Sequence, residues 1–457
     1  MTRITFASRL LTTCILTDKY RATRTERGHR PLKAGRDVMT PLRLSRIHAT
    51  LVVIAGLLAT FWFVAPASAT SVVWGWGSDE SGALGSATGP EECWGKGPCS
   101  ARPLEIAGLT GAKGVASGEE YSVAVLENGT VKAWGSNSSN QLGDGYTYGQ
   151  QQEHAAPVTV SGITGAVAVA AGNLDGMALL SNGTIKAWGE NVGGELGDGK
   201  ATETTTPVTV KEISNATAVA MGEEDSLALL STGHVMAWGT DETGQLGTGD
   251  TLANRHVPKE VSGISTAVAI AAGLEHNLAL LSNGTVMAWG NNDDGQLGNG
   301  EEEGPTVCKA AGYCAKTPVT VEGLSNVAAI AAGGDHSLAL LKDGTVMAWG
   351  NNESGELGDD SKEESFVPVP VVGIKTAIAI AANEESSMAL LENGEVVTWG
   401  ANSEGQLGDD STGASETCSS GPSGEPCSLI PVATGSIGVH VQHIAAGGTH
   451  DLLVGSL

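Results

Sequence analysis

Polar and ionisable side chains recur at one position of a phrase that repeats along the chain, A-A-G-x-x-H or a close variant. Histidine and aspartate groups brought together in this way could bind a metal ion or exchange protons with a substrate. A polar group at a strand start can instead hydrogen-bond a neighbouring backbone, and we favour this interpretation because the repeat itself explains the position. The seven positions are Tyr121, Asp175, Asp225, His276, His336, Ser386 and His450.

The sequence contains none of the short motifs that usually identify a catalytic centre. There is no G-x-S-x-G, no H-E-x-x-H and no phosphate-binding loop. The acidic loops at 291–295 and 358–360 lack the spacing of an EF-hand, so solvated turns are a better interpretation than calcium sites. We therefore predict no catalytic residue, no bound metal and no cofactor, and we expect that the protein is not an enzyme.

Six of the seven cysteines fall into three local pairs within Gly- and Pro-rich loops, whereas Cys14 lies apart near the N-terminus. An even number of closely spaced cysteines beside an export signal predicts three local disulfides. Zinc binding is a weaker alternative, because the spacings are longer than those of zinc-binding turns and no histidine is nearby. The predicted pairs are Cys93 with Cys99, Cys308 with Cys314, and Cys418 with Cys427.

A Trp-Gly pair precedes a Leu-Gly pair in seven successive units that are 50 to 60 residues apart. Each unit contains four predicted strands, of the types P-V-x-V, A-x-A-A-G, S-L-A-L-L and T-V-M-A-W-G. An Asn-Gly or Asp-Gly dipeptide between the last two predicts a two-residue type I′ hairpin turn. A β-rich repeat of this length predicts an all-β fold, a seven-bladed β-propeller of four-stranded blades with tryptophans in its core. These tryptophans are Trp76, Trp134, Trp188, Trp238, Trp289, Trp349 and Trp399.

The two ends of the repeat region complement each other. The unit at 445–454 lacks its own Trp-Gly strand, whereas the segment at 72–77 supplies such a strand without the strands that should precede it. We therefore predict that the N-terminal strand completes the last blade, which also removes exposed sheet edges.

The phrases A-W-G-x-N-x-x-G-Q-L-G and A-A-G-x-x-H-S-L-A-L resemble the regulator of chromosome condensation repeat family, across residues 72–457. The resemblance implies a seven-bladed propeller, here of a secreted bacterial type. Its founding eukaryotic members bind chromatin and exchange nucleotide on a small GTPase. An exported, acidic chain favours a different role, in which the propeller serves as a binding module.

The first 69 residues differ in composition from the rest. They carry 11 Lys and Arg against 3 Asp and Glu, and an apolar run at 49–64 precedes the small-x-small sequence Ala67-Ser68-Ala69. These features predict a leader over 1–69 that contains a secretory signal peptide, and our hypothesis is that translation starts at Met39. The propeller would then occupy 70–457 and be secreted or associated with the cell envelope. A leader retained as a membrane anchor is the alternative.

Acidic side chains dominate the predicted propeller. Residues 70–457 hold 48 Asp and Glu against 14 Lys and Arg. Such a surface repels phosphate backbones, so we expect no nucleic acid among its partners. A cationic partner, or simple solubility, is the better explanation of the charge.

The three cysteine-containing loops, at 86–102, 301–316 and 411–429, are the largest departures from the repeat. We expect them to connect successive blades and to emerge on one side of the disc, where repeat insertions often build a binding face. The predicted function is a secreted, non-catalytic propeller that binds an extracellular or envelope protein through this face. The alternatives are an extracellular hydrolase or lyase for glycans or peptides, using the axial His and Asp positions, and a structural envelope component. The candidate contact residues are Trp94, Tyr146, Tyr148 and Tyr313.

Overall fold

The computed structural model describes residues 70–456 with the exception of 86–89, 95, 147–152, 251–253, 303, 309–311, 412–415 and 419–424. All regular secondary structure in this part of the chain is β-strand. These residues include no helix long and apolar enough to cross a membrane. The strands form seven antiparallel sheets, which are the blades of a propeller. The predicted leader, 1–69, lies outside the described residues.

The second strand of each blade is buried over all but its last residue, because each blade packs face to face against its neighbours. We number the blades 1 to 7 in the order of their first strands, whose ends surround the propeller axis. The first strands are β4 (Ala112–Ser117), β8 (Ala166–Ala171), β12 (Ala216–Met221), β16 (Ala267–Ala272), β21 (Val327–Ala332), β25 (Ala377–Ala382) and β30 (His440–Ala446). The second strands are β5 (Tyr121–Leu126), β9 (Asp175–Leu180), β13 (Asp225–Leu230), β17 (His276–Leu281), β22 (His336–Leu341), β26 (Ser386–Leu391) and β31 (His450–Ser456).

The third strands carry the Trp-Gly pairs, and the fourth strands lie outside them. The ladder between these strands shifts at the glycine, as between Ala348 and Gly350, where Gly350 adopts a φ of 103° that disfavours a side chain. The third strands are β6 (Val131–Ser136), β10 (Ile185–Gly189), β14 (Val235–Thr240), β18 (Val286–Asn291), β23 (Val346–Gly350), β27 (Val396–Ala401) and β1 (Ser71–Ser78). The fourth strands are β7 (Glu153–Thr159), β11 (Thr204–Thr209), β15 (Asn254–Glu260), β20 (Tyr313–Thr320), β24 (Ser365–Pro370), β29 (Pro426–Ala433) and β3 (Gly97–Glu105).

Blades 4, 6 and 7 are extended by a short fifth strand, which the cysteine-containing loops supply. These strands are β19 (Thr306–Val307), β28 (Glu416–Thr417) and β2 (Glu91–Cys93). The three predicted disulfides are confirmed, with Cα–Cα distances of 5.8, 5.9 and 5.7 Å for the pairs in blades 7, 4 and 6. Each disulfide ties the fifth strand, or the residue that follows it, to the fourth strand of the same blade.

Blade 7 is built from both ends of the described chain. β1 lies between β31 and β3, and Val73 of β1 pairs with Val454 of β31. This confirms that the N-terminal strand completes the last blade. The same N-terminal segment also supplies the fourth and fifth strands of that blade, so the ring is closed by five strands from two distant parts of the chain.

The prediction that the cysteine-containing loops connect successive blades is wrong. Each loop joins the third strand to the fourth strand of one blade, because each P-V-x-V strand pairs with the Trp-Gly strand that precedes it, as Val369 pairs with Ala348. The loops are equivalent connections, so they nevertheless emerge on one side of the disc.

The prediction of a two-residue type I′ turn between the second and third strands is also wrong, because the loop has three residues. In blade 1 the Leu126 amide donates to Thr130 O, and the Gly129 amide donates to Leu126 O. Only the glycine of this three-residue loop has a positive φ, of 78°. The loop therefore belongs to the class that ends in a left-handed glycine. Asn128 Oδ1 accepts hydrogen bonds from the Thr130 amide at 3.0 Å and hydroxyl at 2.7 Å.

The tryptophans of the Trp-Gly pairs lie between blades. All seven are fully buried, which agrees with their predicted place in the core. Each Nε1 donates to a backbone oxygen in the Leu-Gly loop of the preceding blade, as Trp349 does to Gln296 O at 2.9 Å. The amide of Leu297, the next residue, donates to Asn292 Oδ1 at 3.1 Å, which holds the loop in place.

Candidate binding face

Six of the seven recurring polar positions, all except Ser386, join neighbouring blades, and we call these six and their contacts the inter-blade belt. His276 of blade 4 lies with its Nε2 2.8 Å from Ser337 Oγ of blade 5. Because the Ser337 hydroxyl donates to Gln296 O at 3.0 Å, it accepts from the imidazole Nε2–H. The other pairs of the belt are His336 with Ser387, His450 with Ser122, Asp225 with Asn277, and the Tyr121 hydroxyl with Asp175 O.

Burial sets the protonation of the inter-blade belt. It lowers the pKa of His276 to about 4 and, together with the nearby His276, that of His336 to about 3. Burial also raises the pKa of Asp175 and Asp225 well above the usual range of a carboxyl. Neutral, buried groups that bind the next blade stabilise the ring, and this arrangement favours the structural interpretation of the position over an open catalytic centre.

The described residues contain no group of three or more His, Cys, Asp or Glu side chains that could hold a metal ion. In the acidic loop at 291–295, Asn292 fixes the Leu297 amide and Asn291 Oδ1 accepts from the Asp293 amide at 2.9 Å. The side chains of this loop therefore organise a turn.

The connections between first and second strands share one side of the disc with those between third and fourth strands. In blade 5, Gly350 at the end of the third strand pairs with His336 at the start of the second. We call this side the insertion face. Its first-to-second connections are 118–120, 172–174, 222–224, 273–275, 333–335, 383–385 and 447–449, and its third-to-fourth connections are 79–96, 137–152, 190–203, 241–253, 292–312, 351–364 and 402–425.

The insertion face carries most of the negative charge of the propeller. The first-to-second connections hold eight carboxylates and no Lys or Arg, and every third-to-fourth connection adds at least one more carboxylate. By sequence, all these connections together hold only four cationic residues, Lys96, Lys200, Lys309 and Lys362. The eight carboxylates of the first-to-second connections are Glu119, Glu120, Glu223, Glu224, Glu275, Asp335, Glu384 and Glu385, of which Glu119, Glu223 and Glu384 lie on the axis.

The opposite side of the disc is mixed in charge. It consists of the hairpins between second and third strands and of the connections from fourth strands to the next blade. Basic side chains there are Lys211, Lys342 and Lys375, and acidic ones are Glu127, Glu212, Glu322, Asp343, Glu392 and Glu395. The charge asymmetry between the two sides of one disc therefore distinguishes the insertion face as the surface with a strong electrostatic field.

Contacts across blade boundaries hold the disulfide-bonded loops of blades 6 and 7. Lys96 Nζ of blade 7 lies 3.2 Å from Glu425 Oε1 of blade 6. Lys362 of blade 5 donates through Nζ to Thr417 O and Cys418 O of blade 6, both at 2.8 Å. The rim from blade 5 to blade 7 is thus one connected surface.

The structure places the candidate contact residues at separate points of the insertion face. Trp94, in the turn between β2 and β3, is 43% exposed, and Tyr146, in the neighbouring blade 1, is 54% exposed. Tyr313 is half-buried at the start of β20, three blades away from both, and its amide donates to Asp293 Oδ1 at 2.6 Å. Tyr148 lies outside the described residues. Sequence reasoning missed the carboxylates nearest the axis, which only the closed ring brings together.

Family models match most of the chain. The RCC1-like domain matches residues 23–316, and the regulator of chromosome condensation (RCC1) repeat matches 327–356, 377–406, 343–390 and 393–454. Three relatives are protein pim1 of Schizosaccharomyces pombe, human E3 ubiquitin-protein ligase HERC2 and the Arabidopsis thaliana ultraviolet-B receptor UVR8, which are 28%, 30% and 27% identical. The matches cover 55%, 64% and 62% of this chain but only 39%, 5% and 61% of those proteins.

Solved structures share the fold. Human WBSCR16 superposes with a TM-score of 0.71 and 20% identity over 84% of this chain and 100% of that one. Saccharomyces cerevisiae Prp20p gives a TM-score of 0.69 and 23% identity over 85% of this chain and 92% of that one. Together with the seven closed blades and their Trp-Gly repeats, the family match shows that this chain belongs to the regulator of chromosome condensation repeat family.

Proposed function

We propose that this protein is a non-catalytic binding propeller that recognises a protein partner through its insertion face. The observation that carries the proposal is the coincidence of two features on that face, the three disulfide-bonded insertions and the dense carboxylates. Disulfides reduce the conformational freedom that binding would otherwise remove from a loop. Exposed aromatic side chains such as Trp94 and Tyr146 supply the contact area typical of interface hot spots.

The proposed partner is an extracellular or cell-envelope protein with a basic contact surface. The predicted leader and the three disulfides support a secreted or envelope-associated protein. Carboxylates attract a cationic surface and repel nucleic acid. Among similar proteins, the structure of Prp20p was reported together with its binding to Gsp1p and histones, and yeast RCC1 (Prp20) was solved bound to Kap60.

The proposal is tested by affinity capture from envelope and medium proteins with the full chain as bait. A variant with Trp94, Tyr146, Tyr148 and Tyr313 changed to Ala should lose the captured partner. A matched control changes three exposed apolar residues at the start of first strands, the end away from the insertion face, to Ala and should retain it; they are Val167, Val268 and Ile378. Equal capture by both variants would place recognition elsewhere, and capture of nothing by the unmodified chain would remove the proposal.

A further inference from the structure

A cavity lies on the propeller axis and opens on the insertion face. The ends of all seven first strands line it, and its volume is about 480 Å³, counting its open mouth. Small residues keep the backbones of neighbouring blades close at this level. A Cβ at Gly222, for example, would lie 2.6 Å from Gly273 O of the next blade.

Three carboxylates converge on this cavity from different blades. Glu119, Glu223 and Glu384 belong to blades 1, 3 and 6, and each is half-buried. No Lys or Arg lines the cavity within the described part of the chain. Among the described residues, Glu223 accepts only a long hydrogen bond of 3.5 Å from Asn173 Nδ2. The cavity therefore concentrates negative charge without an internal counter-ion.

Ser117 makes the cavity wall chemically distinct in blade 1. The equivalent residue is alanine in five other blades and methionine in blade 3. Ser117 is only 7% exposed, and its Oγ has no hydrogen-bond partner among the residues that the structure describes. A buried hydroxyl without a partner is unfavourable in an apoprotein and becomes useful when a ligand supplies the missing hydrogen bond.

We propose that the axial cavity receives the ammonium group of a lysine side chain from the protein partner. This inference rests on the proposed function and specifies the chemistry at its centre. An ammonium group has three donors on a compact charge, which matches carboxylates that approach from three directions. A planar guanidinium group prefers two parallel bonds to one carboxylate, so it would pair with one of the three and leave the other two without a partner.

The electrostatics of the cavity residues agree with this assignment. Burial raises the pKa of Glu384 to about 7, and Glu119 adds to the effect by repulsion. Burial likewise raises the pKa of Glu119 and of Glu223, where neighbouring carboxylates again contribute. A bound cation would relieve this repulsion, so the carboxylates are arranged for a ligand more than for the stability of the free propeller.

The test measures binding of Nα-acetyl-lysine methylamide to the full chain by NMR titration at pH 8. The axial variant carries Glu119→Gln, Glu223→Gln and Glu384→Gln. The matched control carries Glu353→Gln, Glu363→Gln and Glu364→Gln, three exposed positions on the rim of the same face. We expect the axial variant to bind at least tenfold more weakly than the unmodified chain and the control to bind within twofold of it. Ser117→Ala should weaken binding by a few fold.

Several results would overturn the inference. They are equal binding by the axial and rim variants, equal binding of the Nε-acetylated probe, tighter binding of the arginine analogue, or displacement of the probe by millimolar Ca²⁺. The axial variant loses like-charge repulsion, so thermal unfolding should show it to be at least as stable as the unmodified chain. The expected loss of probe binding therefore cannot result from misfolding. If a partner is captured but the probe does not bind, only this inference fails. If the probe binds but no partner is captured, the proposed function fails instead.

Discussion

The tryptophans of the Trp-Gly pairs and the third-to-fourth connections contact each other at every blade boundary but repeat with very different fidelity. At the belt, a carbonyl such as Gln296 O accepts both Trp349 Nε1 and Ser337 Oγ from the next blade. The connection that contributes this carbonyl then continues into a segment that differs in length and sequence from blade to blade. The comparison teaches that the tryptophan joining each pair of blades is kept in all seven units, whereas the connections vary, and those of blades 5 to 7 add contacts of their own across blade boundaries.

The largest expected effect comes from the uniform side of this comparison. Trp349→Ala removes a fully buried side chain and its hydrogen bond to Gln296 O, and should lower the free energy of unfolding by about 3–5 kcal/mol. Trp94→Ala, on the insertion face, should change it by less than about 0.5 kcal/mol. Urea unfolding of both variants provides the measurement. If both variants lowered the free energy of unfolding by a similar amount, the two regions would not differ in their contribution to stability.

A smaller effect is expected from a single polar contact of the inter-blade belt. Ser387→Ala leaves His336 Nε2 without its acceptor and removes the hydrogen bond to Glu356 O, so it should destabilise the fold by about 1–3 kcal/mol. The control is Ser138→Ala, at an exposed position of a third-to-fourth connection. Thermal unfolding should leave the control unchanged. If Ser387→Ala left thermal unfolding unchanged, this contact of the inter-blade belt would not contribute to stability.

The smallest effect on global stability should come from a disulfide on the rim. Replacing both Cys308 and Cys314 with Ser releases a short loop next to β19, at the outside of blade 4. The loop can then open while the ring stays folded, so global unfolding should shift by less than about 1 kcal/mol. Hydrogen exchange should rise in peptides that cover 301–316 and not in β17. Faster exchange throughout blade 4 would mean that the disulfide supports the core.

Most of the fold could be predicted from the sequence because the same pattern of four strands recurs in seven units. Two predictions failed for physical reasons. The repeat length alone does not show at which strand a blade begins. The P-V-x-V strand could therefore be the first strand of one blade or the fourth strand of the blade before it. The dipeptide at Asn128 is compatible with a two-residue or a three-residue hairpin, and the hydrogen bonds of Leu126 and Thr130 decide between them.

The axial cavity could not be predicted in the same way. Glu119, Glu223 and Glu384 are far apart in sequence, and each one alone resembles a solvated residue in a turn. Only closure of the ring brings their charges together and buries them in part. The departure of Ser117 from the alanine of most other blades was a usable signal in the sequence.

The pairing of Val73 with Val454 has a consequence for how the molecule is made. Among the described strands, β1, β2 and β3 emerge first during synthesis, and β31, the second partner of β1, emerges last. Until then the early hairpin exposes an unsatisfied edge, and contacts of such long sequence separation form slowly. The disulfide between Cys93 and Cys99 closes a local loop within this N-terminal segment before β31 is available. Formation of blade 7 is therefore the step that closes the ring during biogenesis, and a failure at this step leaves the ring open.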